Sequence, residues 1–259
     1  MTRTRARRYG NGNMEVCVDS VQSALNAAEG GALRLELCAN LMEGGTTPTT
    51  GMLKIIKSVV ATPVFSIIRP RGGDFLYDDH EFAVMQENVK ALKEAGSDGF
   101  VFGILCKDGS VDRKRCSNLL DLARPMPSTF HRAFDMCNDS VASLEMIIEL
   151  GFQRVLTSGQ DASALDGSPL IAKLIEQAKG RITIMPAGGI SSSNLGRILS
   201  TTGAKEFHCS ARSTVSSQMI YQQKNVFMGA ALRPPEFFTK MCAVANCKEL
   251  VSVFEKYLH

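Results

Sequence analysis

Met14-Glu15-Val16-Cys17-Val18-Asp19-Ser20 reads as a short strand that runs directly into a helix cap. Apolar residues alternate through Val18, and Asp19 or Ser20 can cap a helix continuing to Glu29. What this stretch lacks decides the fold class. An open, doubly wound sheet that binds a dinucleotide would carry a G-x-G-x-x-G turn after its first strand, and Val18-Asp19-Ser20 holds no glycine.

Outward from that unit, the same strand-then-helix order recurs. Further strands are predicted at 33–38, 64–68, 99–102, 128–130, 154–157, 181–186 and 206–209, and helices at 51–60, 79–95, 112–123, 140–150, 169–179 and 191–200. Eight short apolar strands without a switch point predict an α/β fold, a TIM-type (β/α)8 barrel. Residues 1–13 are expected to be a disordered basic leader, 14–213 the barrel, and 214–259 a C-terminal helical extension packing on it. Within the extension, 214–225 reads as loop, and 235–245 and 248–257 as helical.

A chain of 259 residues that is 44% hydrophobic can bury a large core. The net charge of +3 is too mild to imply nucleic acid, and much of the excess sits in Arg3, Arg5, Arg7 and Arg8. No apolar run has the length of a membrane span. The eight cysteines form no C-x-x-C pair, and several fall inside strand-like runs. They read as reduced thiols of a cytoplasmic or nuclear protein rather than as a disulfide framework.

In a barrel of this type, side chains at the C-terminal strand ends meet over one mouth. Here those ends carry Glu15 and Cys17, Glu36 and Cys38, Arg69 and Arg71, His131 and Arg132, Thr157 and Ser158, Gly188 and Gly189, and His208 and Ser210. Asp135 follows His131 closely. The tripeptide Glu-x-Cys repeats at 15–17 and 36–38. Residues two apart share a strand face, and neighbouring strands lie about 4.8 Å apart, so the two glutamates and two thiols are expected on one wall. A thiolate pair suits Cu(I), whereas a small buried hydrophobe is the plain alternative for each cysteine. Pro186-Ala187-Gly188-Gly189-Ile190-Ser191 has the form of an anion-binding loop before a helix, with Arg69, Arg71, Arg132 and Arg212 as countercharges.

Six motifs, in order, carry a family likeness. They are Met14-Glu15-Val16-Cys17-Val18-Asp19-Ser20, Glu36-Leu37-Cys38, Ile68-Arg69-Pro70-Arg71-Gly72-Gly73-Asp74-Phe75, Phe130-His131-Arg132-Ala133-Phe134-Asp135, Val155-Leu156-Thr157-Ser158-Gly159 and Glu206-Phe207-His208-Cys209-Ser210-Ala211-Arg212. Together they resemble the CutC copper homeostasis family, its animal members most closely. The family usually has a third glycine where this chain has Ala187, and an Asp where it has Leu33. The resemblance implies a TIM-type barrel, a cytoplasmic and also nuclear location, a homo-oligomer (dimer or tetramer), and Cu(I) as the bound ion. It puts the copper ligands at Cys17 and Cys38.

Two functions are therefore expected to compete. One is Cu(I) buffering or delivery through Cys17 and Cys38. The other is an enzyme on a small anionic or phosphorylated metabolite, with Glu15, Arg69, Arg71, Arg132, Thr157, Gly188, Gly189, His208 and Ser210 binding it. In that reading His131, Glu36 or Asp135 is the acid or base.

Overall fold

The computed structural model describes residues 13–223, 225–228 and 234–258. The basic leader lies outside these residues, Asn13 excepted. Eight parallel strands alternate with helices: β1 Met14–Val18, β2 Arg34–Leu37, β3 Val64–Ile67, β4 Gly99–Phe102, β5 Ser128–Phe130, β6 Arg154–Thr157, β7 Thr183–Pro186 and β8 Phe207–Cys209. Their hydrogen-bonded order is β7-β6-β5-β4-β3-β2-β1-β8. Strands β7 and β8 end that order and lie against each other, so the ring is nearly closed. The expected (β/α)8 barrel is the fold observed.

The helices are α1 Val21–Glu29, α2 Thr50–Val59, α3 Asp79–Glu94, α4 Arg113–Ala123, α5 Ser140–Leu150, α6 Ser168–Ala178, α7 Ser192–Thr202 and α8 Val244–Leu258. Side chains that accept backbone N–H groups start several of them. Ser20 caps α1, Asp112 caps α4, Asp139 caps α5, and Asp78 forms a reciprocal capping box with Glu81 on α3. The eighth helix packs between α7 and α1. Gly30 makes that contact close, since a Cβ there would stand 2.3 Å from Cys247 Cβ.

Strand alternation divides the apolar residues into layers. Val16, Leu35, Val64, Phe100, Phe130, Val155, Ile184 and Phe207 face the helices in the main core. Their neighbours point inward, where Phe65, Ile67, Val101 and Cys38 form one small cluster and Leu156, Met185 and Ala187 another. Charged side chains occupy the rest of the interior.

Beyond the barrel strands the structure differs from expectation. Arg212–Ser216 and Phe238–Cys242 form antiparallel strands β9 and β10, with Arg212 opposite Cys242. The expectation is barrel to residue 213, loop over 214–225 and helix over 235–245. A five-residue run does not reveal its period, and the strand partner lies far away in sequence. Among the described residues of the extension the one helix is α8, which begins N-terminally of the expected 248–257.

Candidate functional site at the barrel mouth

The register between β1 and β2 sets the site. Glu15 stands opposite Arg34, and Cys17 opposite Glu36. Glu15 and Cys17 therefore stand one inward-facing position out of step with Glu36 and Cys38. This stagger follows from the shear that closes a barrel. Below the mouth, Arg34 bridges two carboxylates, pairing through Nε with Glu15 and through Nη2 with Glu206 Oε2 at 2.8 Å. Arg154 Nε reaches the same Glu206 oxygen at 3.2 Å. Charges of opposite sign offset a desolvation cost of several kcal/mol per ion, which none could bear alone.

Above this network lies a second cluster. His208 Nδ1 is 2.8 Å from Glu15 Oε1, and His208 Nε2 is 3.6 Å from Glu36 Oε2. A ring nitrogen of His208, a carboxylate oxygen of Glu36 and the thiol sulfur of Cys17 all lie within 4.8 Å of one another. Among the described residues, this is the one group of three or more acidic, histidine or cysteine side chains spaced to hold a metal. Cys38 is outside the group. Its buried thiol lies 3.9 Å from the carbonyl oxygen of Glu36.

The buried charges displace one another's titration. Burial raises the pKa of Glu15, but Arg34 and His208 outweigh it and bring it down to about 2. Burial pushes Glu36 up to about 7; His208 opposes the shift and Glu15 adds to it. Burial works against charge on His208, yet Cys17, Glu15 and Glu36 hold it well above the ordinary imidazole value. The Cys38 thiol is pushed well up by burial, and further by Glu36 and Cys17.

A cavity of about 490 Å3 opens above the cluster. Cys17, Glu36 and His208 line its floor, with Arg69, His131, Arg132, Asp135, Gly188, Gly189, Ser210 and Arg212 around it. His131 is buried beside the Phe75 ring, its centroid 4.9 Å away, and Nδ1 accepts the Ala133 N–H at 3.2 Å. Burial and the nearby Arg69 charge depress its pKa to about 3, so the ring is neutral.

Several expected site residues have structural partners within the protein. Arg69 donates to the carbonyls of Glu43 at 2.7 Å, Gly45 at 2.9 Å and Gly73 at 2.9 Å, and thereby fastens two loops. Arg71 pairs with Glu81 at 2.5 Å and Asp74 at 3.1 Å and lies outside the cavity lining. Asp135 accepts from Thr157 Oγ1 at 2.5 Å, Ser158 N at 3.0 Å and Arg132 Nε at 2.6 Å. It is a clamp between the ends of β5 and β6 whose oxygens are already engaged. Thr157 belongs to that clamp and does not line the cavity.

Sequence reasoning missed Arg34, Arg154 and Glu206. The signal was present in Leu33-Arg34-Leu35-Glu36-Leu37, because charges alternating with leucines in a strand buried on both faces must point into the barrel.

The CutC family model matches residues 13–213, which include every strand of the barrel. This chain belongs to the CutC family. It is 55% identical over 245 residues to the human "Copper homeostasis protein cutC homolog", covering 95% of this chain and 90% of that one. The mouse protein of the same name is 54% identical over 250 residues, 96% of this chain and 92% of that one. The crystal structure of the putative copper homeostasis protein CutC from Streptococcus agalactiae superposes with a TM-score of 0.73 at 33% identity, covering 76% of this chain and 97% of that one. The CutC match thus ends where β9 begins, and the human and mouse relatives extend it over nearly the whole chain.

Proposed function

We propose that this CutC protein binds Cu(I) at the floor of its barrel mouth and serves copper homeostasis by buffering or delivering the ion. Cys17 supplies a thiolate and His208 an imidazole through Nε2, and Cys38, which lies outside that cluster, supplies the second thiolate by turning its side chain toward it. The observation that carries this reading is the placement of Cys17 against His208, whose other nitrogen is held by Glu15 at 2.8 Å. A carboxylate on Nδ1 fixes ring orientation and tautomer, leaving the Nε2 lone pair for a metal. Thiolate and imidazole are both good ligands for a soft monovalent ion. Glu36, already near neutrality in its titration, accepts a proton displaced from the site.

The copper-homeostasis names of the human and mouse relatives support the same reading. A cytoplasmic location, extending to the nucleus, agrees with eight cysteines that are all free. Among the described residues no helix is long and apolar enough to cross a membrane. A homo-oligomer, dimer or tetramer, fits the exposed Val215, Ile220, Tyr221 and Phe238 on or near the β9–β10 arm.

Anaerobic titration of Cu(I) against a chromophoric chelator tests the proposal. The parent protein should compete for Cu(I), while Cys17→Ser and His208→Gln should each lose most of that competition and Cys38→Ser a further share. Undiminished competition by Cys17→Ser would reject the site.

A further inference from the structure

The cavity is far larger than a metal ion needs. At about 490 Å3 it has the size of a small-molecule pocket, and the copper ligands occupy only its floor. The loop after β7, next to the strand that carries His208, holds backbone donors without protein acceptors. Among the described residues, the backbone N–H groups of Gly188, Gly189 and Ile190 have no protein acceptor. Gly188 and Gly189 both adopt positive φ, 99° and 70°, in the turn ahead of α7.

Arginine charge stands beside this turn. A Cβ on Gly188 would lie 3.7 Å from Arg132 Cζ, so the half-exposed guanidinium rests against the loop backbone. Arg212 also lines the cavity, makes no ion pair within 4 Å among the described residues, and has a buried Nε without a partner.

His131 is an independent pointer to a ligand. It is 3% exposed and lines the cavity, and its Nε2 has no partner. Because Nδ1 accepts the Ala133 N–H, the neutral ring carries its proton on Nε2. A buried N–H without an acceptor costs about 1–3 kcal/mol, a cost that a ligand oxygen would remove.

The geometry points to a binding site for a small organic phosphate monoester in the mouth cavity. Its phosphate sits between Arg212, Arg132 and the amides of Gly188 and Gly189, and a carbonyl or hydroxyl oxygen of its organic body accepts from His131 Nε2. The oxyanion is matched by fixed amide dipoles and two cations. The site lies in the same cavity, above the copper ligands, but uses none of them and does not depend on the copper reading.

Isothermal titration calorimetry on the metal-free full chain tests it, with inorganic phosphate, glycerol phosphate and glycerol as probes. Glycerol phosphate should bind more tightly than inorganic phosphate, and glycerol should give no heat. Arg212→Met should weaken both phosphates by ~10- to 100-fold, the loss of one charge-assisted hydrogen bond. His131→Leu should weaken glycerol phosphate while leaving inorganic phosphate unchanged, a split that general loosening of the barrel would not give. Cys17→Ser should bind the phosphates as the parent does, which separates failure here from failure of the copper site.

Absence of heat with both phosphates up to about 10 mM would overturn the proposal. So would equal binding by Arg212→Met, or inorganic phosphate matching the monoester. Should Arg212→Met not fold, the parent protein decides. Saturating glycerol phosphate must slow alkylation of the half-buried Cys17 by iodoacetamide, followed by peptide mass mapping. An unchanged rate would overturn the proposal.

Discussion

His208 Nδ1 lies 2.8 Å from Glu15 Oε1, and the same carboxylate pairs through its other oxygen with Arg34. One buried glutamate thus joins the charge network beneath the barrel floor to the titratable cluster at the mouth. Glu15→Gln removes the charge while keeping the shape. Arg34 retains Glu206 but loses its nearest partner, so a destabilisation of about 3 kcal/mol is expected. Urea unfolding monitored by circular dichroism measures it; a midpoint equal to the parent's would show that Glu206 alone is enough.

Metal binding at the floor must displace protons. His208 and the Cys38 thiol are both held above their ordinary pKa values in the free protein. A metal that needs the imidazole lone pair and the thiolate therefore competes with hydrogen ions, and affinity rises with pH. Chelator competition at about pH 6 and about pH 8 should show tighter binding at the higher value. A pH-independent affinity would mean that His208 and Cys38 are not ligands.

His131 makes folding sensitive to acid. Its pKa falls from 6.5 to about 3 in the folded chain. Between those values the unfolded chain binds more protons, so this contribution is complete above pH 6.5 and is lost as the pH falls toward 3. The slope from one such group reaches about 1.4 kcal/mol per pH unit. Urea midpoints of the parent and of His131→Gln, compared across that range, should converge as the pH drops. Parallel curves would show that His131 is not held neutral.

Asp135 should matter to stability more than to proton transfer. Asp135→Asn keeps two acceptor positions on one oxygen but loses the charge that engages Arg132, Thr157 and Ser158. A loss of about 2 kcal/mol is expected, in the range for hydrogen bonds to a buried charge. Thermal unfolding provides the measurement, and a shift no larger than that of an exposed Asp74→Asn control would contradict the clamp.

The turn before α7 disfavours a side chain at its first glycine. Gly188 has φ of 99°, and a Cβ would come within 3.3 Å of Ser158 Cβ. Gly188→Ala should cost about 1–2 kcal/mol from backbone strain, more than an exposed glycine at an ordinary φ such as Gly51. The two melting curves give the comparison.

Much of this architecture was legible in the chain. Helix caps such as Ser20, Asp112 and Asp139 and the apolar strands between them are local signals, set by hydrogen-bonding capacity and side-chain period. Gly188-Gly189 marked the turn after β7. The β9–β10 pair was not legible, because Phe238–Cys242 is held by a partner strand far away in the chain.

The sequence by itself determined the repeating strand-helix order, and so the barrel and the set of side chains that reach its mouth. It also carried the family motifs at Cys17, Cys38, His131 and His208. Only the tertiary structure decided how those side chains are grouped. Barrel shear placed Cys17 opposite Glu36 and brought His208 across from β8, while Cys38 stayed outside the cluster. It also tied Arg69, Arg71 and Asp135 to protein partners and left Arg212 Nε and His131 Nε2 without hydrogen-bond partners. Residue type and strand period are properties of the local chain, whereas stagger between strands and the competition for hydrogen-bond partners exist only once the ring has closed.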